Sequence, residues 1–481
     1  MNSHMLFDDA CWEKSDEISD TWIAQFLEPD FLHPVGEFLV KHHKPSKPKS
    51  FDIVGNGSFN ISLLMVYQDH SAVIRLSQPG NAMFPEEKVR NEVAVMRYIL
   101  DQTSIPHENR MYKPLNWPGC PGEQRGSLDP NIDENKLEGI YKELAGILLQ
   151  LSRPSFPRIG SLAQIDDFTW EVAHRPLSMP MNELVRLGSL PQSLLPHPDT
   201  TFASASSYFE HLAELHMIHL TNQRNDAICS YDDCRRKFIA RTLFRRLARE
   251  QKLTKRSTSL DKGPFKLWCD DFRPSNVLIS KDLKITGVID WEFTYVAPVE
   301  YTHSPPWWLL IEKPEFWEAG LDDWSNVFER RLQTFLRAMV KCEDEAISKG
   351  QLDESQRLSR PMRESWETGD FWISYAARNN FAFDMIYWAK IDPRFFWPAE
   401  NREDAWMGRL GLLSEEEKDE MEKLVTKKAD QARDRALMWD PDEYTLENWD
   451  IAQKVAAAKA SKAADDDEND LDRETEEAGV I

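Results

Sequence analysis

Cys269-Asp270-Asp271-Phe272-Arg273-Pro274-Ser275-Asn276 is followed, fourteen residues after the asparagine, by Ile289-Asp290-Trp291-Glu292. Between them, Val277 to Ser280 and Lys284 to Ile289 read as two short apolar strands around a polar turn. Asp271 and Asn276 then sit on one turn, and Asp290 sits at the end of the next hairpin. Three oxygen-bearing side chains so arranged can face a single cluster of hard cations, because Mg2+ prefers oxygen donors and needs few from the protein itself. An Asp and an Asn five apart occur often by chance, so this pattern gains weight only from its surroundings.

Working upstream, Phe51 to Val54, Asn60 to Tyr67 and Ser71 to Leu76 are β-type runs. Gly55-Asn56-Gly57 and Gln68-Asp69-His70 are the turns between them, so an antiparallel meander is expected. Arg75 is a lone charge in the third run. Glu86 to Leu100 reads as a helix with Val89, Val93, Met96, Ile99 and Leu100 on one face and Glu92 among them. Further helices are expected over Glu134 to Leu151, Ser204 to Thr221, Tyr231 to Lys252, Trp324 to Lys349 and Trp366 to Ile391. Phe265 to Trp268 begins the one β-like interruption among them. A β-rich first part joined to a helical second part is an α+β pattern.

Transfer of a phosphoryl group from a nucleotide depends on positioning and charge neutralisation. It calls for a loop over the phosphates, a cation to grip them, a carboxylate to orient the attacking hydroxyl and oxygen ligands for magnesium. Gly55-Asn56-Gly57-Ser58, Arg75, Glu92, Asp271 with Asn276, and Asp290 supply these parts in the order a kinase-like chain requires.

On these motifs the segment from about Phe51 to Met339 resembles the aminoglycoside-phosphotransferase (choline-kinase-like) enzyme family. Val73-Ile74-Arg75-Leu76 and Ser304-Pro305-Pro306-Trp307-Trp308-Leu309-Leu310 resemble its poorly characterised eukaryotic members, as do the two stretches quoted first. The resemblance implies a two-lobed protein-kinase-like fold, with a small antiparallel β N-lobe and a larger helical C-lobe. It implies ATP and Mg2+ as cofactors and a hydroxyl of a small molecule as acceptor. Asp271 would orient that hydroxyl, and Arg273 would neutralise charge on the transferred group. Gly55, Gly57, Ser58 and Arg75 would bind the nucleotide, with Glu92 fixing Arg75, and Asn276 and Asp290 would hold the metal. The implied domains are an N-terminal helical extension and linker over 1–50, an N-lobe over 51–133, a helical C-lobe over 134–460, and a disordered acidic tail over 461–481.

The chain departs from the family pattern at three places. Cys269 stands where a histidine is usual, and Arg75 stands for the strand lysine, which binds phosphate differently. The third is the interval Asp101 to Asp133, with Pro106, Pro114, Pro118, Pro121 and Pro130, which contains no convincing strand and reads as a shortened hinge. A pseudokinase, in which the same fold serves as a binding or scaffold module, is therefore the competing reading. A carboxylate-metal hydrolase using Asp270, Asp271 and Asp290 is a third, but it would need neither the glycine loop nor the strand cation.

Plainer roles compete at single residues. Gly55 and Gly57 suit an ordinary hairpin turn, and Arg75 with Glu92 suits a structural ion pair. Glu292 reads as a salt-bridge or capping residue, and Cys269 as a small buried hydrophobe. Trp307 and Trp308 read as core packing rather than an aromatic box for a cationic ligand. His211, His216 and His219 are spaced poorly for a metal.

Composition limits the partners. The 481 residues carry a formal net charge of −23, which argues against nucleic acid and anionic membrane surfaces. Nine acidic residues between Asp465 and Glu477, against the single Arg473, mark a solubilising tail. Six scattered cysteines, no apolar run near membrane-spanning length and no signal-like start suit a cytoplasmic protein.

Overall fold

A computed structural model describes residues 5–43, 46–106, 127–253, 259–280, 282–397, 402 and 404–458. The acidic tail and most of the interval read as a shortened hinge therefore lie outside the described residues. The chain forms two compact units. The smaller comprises Asp9–Pro85, Val185–Gln192 and the described residues from Leu437; the larger comprises the described residues up to Asp8, Glu86–Leu184 and Ser193–Ala436.

In the smaller unit, strands β1 (Pro48–Asn56), β2 (Asn60–Tyr67) and β3 (Ser71–Ser77) form the expected antiparallel meander in the order β1-β2-β3. Alternation along β2 buries Ile61, Leu63, Met65 and Tyr67 and turns Ser62, Leu64 and Val66 to the other face. The buried face is covered by two helices, α1 (Asp9–Phe26) and α2 (Pro29–His42), through Trp22, Phe26, Leu32, Val35 and Leu39. The N-terminal extension thus forms part of this unit's core. Pro29 opens α2, where its missing N–H costs nothing, and Pro34 is carried inside the helix. Residues 443–458 are helical and also belong here: Trp22 donates to Asn448, Gln25 to the Ala452 carbonyl and Tyr444 to the Ser77 carbonyl.

The larger unit begins with α3 (Pro85–Gln102), and among the described residues between it and α4 (Glu134–Ser152) none is in a strand. A hairpin that the sequence pattern did not announce follows α4, formed by β4 (Ser161–Asp166) and β5 (Thr169–His174). Then come α5 (Met179–Gly188), whose residues from Val185 belong to the smaller unit, α6 (Ala205–Asn222) and α7 (Tyr231–Arg249). The β-like interruption resolves into two antiparallel pairs. Strand β6 (Lys266–Cys269) pairs with β9 (Thr294–Ala297), and β7 (Val277–Ile279) pairs with β8 (Ile285–Val288). The short α8 (Val299–Thr302) leads to the long α9 (Gly320–Ser348), which packs against α4. The single helix expected over Trp366 to Ile391 is broken: α10 (Ser359–Thr368) stops at Gly369, whose φ of 81° only glycine adopts without strain, and α11 (Asp370–Arg378) restarts the chain. A last long helix, Glu415–Gln431, is set by a capping box at Ser414 and Glu417.

The expected apolar face of α3 is only partly the buried one. Val95, Tyr98 and Ile99 are inside, whereas Val89, Val93, Met96 and Leu100 are exposed. Polar side chains bind the other side of the helix instead. Glu87 makes a two-pronged pair with Arg175 (2.6 and 3.0 Å), and Lys88 and Asn91 reach the segment after Asp290. No periodicity argument sees this, because the partners lie 88 to 204 residues away.

The β4–β5 hairpin is pinned to β9 through Gly160, whose N–H donates to the Val296 carbonyl at 3.0 Å and whose carbonyl accepts from Val296 at 2.8 Å. A Cβ at Gly160 would lie 2.3 Å from the His174 carbonyl oxygen and 2.9 Å from Val172 Cγ1. Gly160→Ala is expected to destabilise the protein by about 1–3 kcal/mol, because backbone must move to admit the methyl. Urea denaturation of the two proteins side by side checks this. An unchanged midpoint would show that the hairpin is not fixed at this point.

Candidate active site

β6 carries the chain out of the core at Cys269 and delivers it into a tight loop. The Asp270 amide donates to the Phe293 carbonyl at 3.0 Å, and the Phe272 amide to the Cys269 carbonyl at 3.3 Å. Phe272 then anchors the loop by an edge-on contact with Trp308, centroids 5.7 Å apart. Pro274–Asn276 make one 3-10 turn before β7. Trp307 and Trp308 are buried, so their main work is to pack. Cys269 is buried too, and burial pushes its thiol pKa far up, which removes it as a nucleophile.

Asp271 is almost wholly enclosed at the surface end of this loop. The Asn276 amide nitrogen donates to both its Oδ2 and its carbonyl oxygen, each at 2.8 Å. Both donations come from one nitrogen, so the other end of that carboxamide, Asn276 Oδ1, is turned away from the carboxylate. Arg273 Nε stands 2.8 Å from Asp271 Oδ1, but its N–H is not aimed at that oxygen. Among the described residues Asp271 Oδ1 accepts no hydrogen bond. Burial pushes the Asp271 carboxyl up to about 6, against the pull of Arg273, Asn276 and Lys313, with the Asp290 charge adding to the rise.

Asp290 sits just beyond β8 with φ 62°, a left-handed conformation that aspartate tolerates better than most residues. The Ile289 amide donates to the Asn276 carbonyl at 2.9 Å, which ties the Asp290 segment to the Asp271 turn. Thus Asp271, Arg273, Asn276 and Asp290 are brought together, as their spacing implied. Glu292 forms a 3.0 Å ion pair with Lys88 on α3, and both side chains are nearly inaccessible. Asn91, one turn on, donates to the Glu292 and Thr294 carbonyls at 3.0 and 2.8 Å. The salt-bridge reading of Glu292 therefore holds, with a partner that the sequence did not suggest. Glu92 lies beside Asn91, half-buried in the same unit.

The remaining expected site residues lie in the smaller unit. Gly55, the last residue but one of β1, lies opposite Ser62, and Ser62 in turn faces Arg75 on β3, so Gly55 and Arg75 flank the same level of the sheet. The Gly57 amide donates to the Asn60 carbonyl at 2.9 Å, and Gln78 donates to the Gly57 carbonyl at 3.0 Å and to Asn56 Oδ1 at 2.5 Å. Ser58 is at the exposed tip of this turn.

Three further residues belong to the site's surroundings: Asp270, which the sequence offered only as a carboxylate of a metal hydrolase, and Arg378 and Lys313, which carried no signal in the sequence. Asp270 is buried, taking donors from Trp268, Tyr295, Arg378 and the Met179 amide. Arg378 comes from α11, a hundred residues away. Lys313, whose charge reaches Asp271, stands 5.7 Å from the Trp307 ring. His216 and His219, by contrast, are core residues: His216 bonds to the Ala377 carbonyl and Asn380, and His219 to Gln223.

A magnesium ion needs hard oxygens, and Asn276 Oδ1 with the Asp290 carboxylate are of that kind. Among the described residues no three His, Cys, Asp or Glu side chains are grouped to hold an ion on their own. An ion here would have to share its shell with phosphate oxygens and water, which is magnesium's usual habit beside a nucleotide. No helix among the described residues is long and apolar enough to cross a membrane.

Residues 71–302, which span β3, α3, the Asp271 loop and Asp290, match the model of the phosphotransferase enzyme family. None of the curated proteins compared matches the chain. Among solved structures, an ethanolamine kinase of Plasmodium vivax is 14% identical, over 79% of this chain and 84% of that one, with a TM-score of 0.35. A macrolide 2'-phosphotransferase type I is 12% identical, over 80% and 98%, with a TM-score of 0.38. A thermostable variant of an aminoglycoside phosphotransferase, in complex with AMP-PNP and hygromycin B, is 12% identical, over 73% and 98%, with a TM-score of 0.31. Likenesses this distant carry no argument about the site; residues 71–302 are similar to the phosphotransferase enzyme family.

Proposed function

We propose that the protein transfers the terminal phosphoryl group of ATP, as its Mg2+ complex, to a hydroxyl group of a small molecule. One observation carries this reading: Asp271 is a buried carboxylate pinned through Oδ2 by Asn276, while its Oδ1 accepts no hydrogen bond among the described residues. Such an oxygen can take a hydrogen bond from an acceptor hydroxyl and hold it in line for attack. In this reading Asn276 Oδ1 and Asp290 hold the metal, which would screen the charge of the phosphates. Arg273, half-exposed beside Asp271, neutralises charge that develops on the transferred group. Arg75, with Gly55, Gly57 and Ser58, grips the phosphates from the smaller unit, and Glu92 steadies Arg75.

The proton of the attacking hydroxyl passes toward Asp271 Oδ1 as its oxygen bonds to the γ-phosphorus and the bond from that phosphorus to the bridging oxygen breaks, releasing ADP. Burial, which raises that carboxyl's proton affinity, suits it to receive one. The described residues flanking the proline-rich interval form no strand, and this is what keeps the pseudokinase reading in view.

The test is ADP release from MgATP by the purified chain, with water alone and with pooled acceptors sorted into amino alcohols, aminoglycosides, sugars and other polyols. Release that rises with one pool supports the proposal. MgATP binding without release in any pool would establish the binding-module reading instead. Arg75→Met is expected to weaken MgATP binding about tenfold or more in calorimetry, and Arg75→Lys less, because the charge survives. Equal affinity in all three forms would remove Arg75 from the nucleotide site.

A further inference from the structure

Next to the proposed catalytic aspartate lies a second one, in opposite circumstances. Asp270 is directed inward, and its side chain is 4% exposed. Its Oδ1 accepts from Trp268 Nε1 at 2.7 Å and, more loosely, from the Tyr295 hydroxyl and Arg378 Nη1 at 3.4 Å each. Its Oδ2 accepts from the amide of Met179, the first residue of α5, at 3.2 Å. Arg378 ends α11. Its Nε donates to the Ser374 carbonyl at 3.1 Å, and its guanidinium carbon lies 4.6 Å from the ring centres of both Trp268 and Tyr301. An aromatic and acidic box that would suit an external cation is thus filled by a cation of the chain's own.

The position of this box decides what it does. Asp270 and Asp271 share a peptide bond, so whatever holds the first side chain limits where the second can point. The peptides on either side of it are held, one by the Phe293 carbonyl at the Asp270 amide and the other by Asn276 at the Asp271 carbonyl. The third hold is the Asp270 carboxylate. A carboxylate taken out of water must be compensated, and Arg378 is the formal charge that pairs with it. Burial drives the Asp270 carboxyl upward, and Arg378 is the foremost influence opposing that rise. Without that cation, the inward carboxylate would be drawn back toward water, and the Asp271 peptide would turn with it.

We propose that Arg378, through Asp270, is a positioning residue that fixes Asp271 in its reactive orientation and ties the first turn of α5 to the same loop. The inference rests on the phosphotransferase reading for its catalytic consequence, but not for its structural one. It also means that the Trp268–Tyr301 box does not receive the acceptor.

Arg378→Met and Arg378→Lys in the full chain test it with two readouts. The first is amide hydrogen exchange. Arg378→Met should speed exchange at Met179 and over residues 270–272 by about tenfold or more, with exchange in α7 and α9 unchanged, and Arg378→Lys should lie between it and wild type. The second is turnover of MgATP with water as acceptor. Arg378→Met should lower kcat by about ten- to a hundredfold, since small misplacements of a catalytic group cost that much, with KM for MgATP within about twofold. Exchange unchanged at Met179 and 270–272 would overturn the proposal, as would a lysine variant no better than the methionine one. A uniform rise in exchange across the unit would also overturn it, because Arg378 would then be a general stabiliser. If the wild type releases no ADP with water or with any acceptor pool, the phosphotransferase reading fails, and the exchange measurement still decides the role of Arg378.

Discussion

Asp271→Ala is expected to lower phosphoryl transfer by about 10²–10⁴-fold while leaving MgATP affinity within about threefold of wild type. The reason is geometric. In the proposed mechanism Asp271 contacts the acceptor hydroxyl, not the nucleotide, so its loss removes an interaction made as the new bond forms. Asn276, which donates to Asp271 Oδ2 and to its carbonyl, keeps the carbonyl contact in the variant, so the loop retains one of the two holds. Asp290→Ala should behave in the reverse way, weakening MgATP binding first, because a carboxylate proposed to hold the metal acts on the ground state. Measuring ADP release and calorimetric binding on both variants separates the two roles. Activity of Asp271→Ala within twofold of wild type would sink the assignment. Equal loss of binding in both variants would show that the pair acts as one metal site.

The second large effect expected is on stability. Lys88 and Glu292 face each other at 3.0 Å, with side chains 2% and 4% exposed. Lys88→Met would leave the Glu292 carboxylate buried without that cation, and removing one partner of a buried pair costs about 3–5 kcal/mol. Converting Glu292 as well, in Lys88→Met with Glu292→Leu, should recover much of the loss, because two apolar groups of similar size require no compensation. Urea denaturation of the two single variants and the double variant measures the coupling. Additive losses would mean that the pair does not act as a unit. Because Glu292 lies two residues from Asp290 and Asn91 bonds the same strip of backbone, Lys88→Met should also weaken MgATP binding. In the proposed mechanism α3 would then act as a splint for Asp290.

Several features were legible in the chain because they are local. Alternation along Asn60–Tyr67 and the turns beside it were enough to announce the meander, since strand period and turn chemistry act over a few residues. The juxtaposition of Asp271, Asn276 and Asp290 was legible for the same reason: one turn and one short hairpin bring them together. Helix breaks were harder to see, because a pattern of apolar residues continues across Gly369 although the backbone does not. β9 was passed over because it is four residues long and buried along its whole length, so it shows no alternation.

By itself, then, the sequence determined the α+β organisation, the small antiparallel sheet and the membership of the Asp271–Asn276–Asp290 set, each written in residues close together in the chain. Only the tertiary structure decided what supports that set. Lys88 meets Glu292 across 204 positions, and Arg378 meets Asp270 across 108. A basic residue in a helix reads the same in sequence whether it points to solvent or to a buried carboxylate. The cost of burying that charge selects its partner, and this cost exists only once the chain has closed around it.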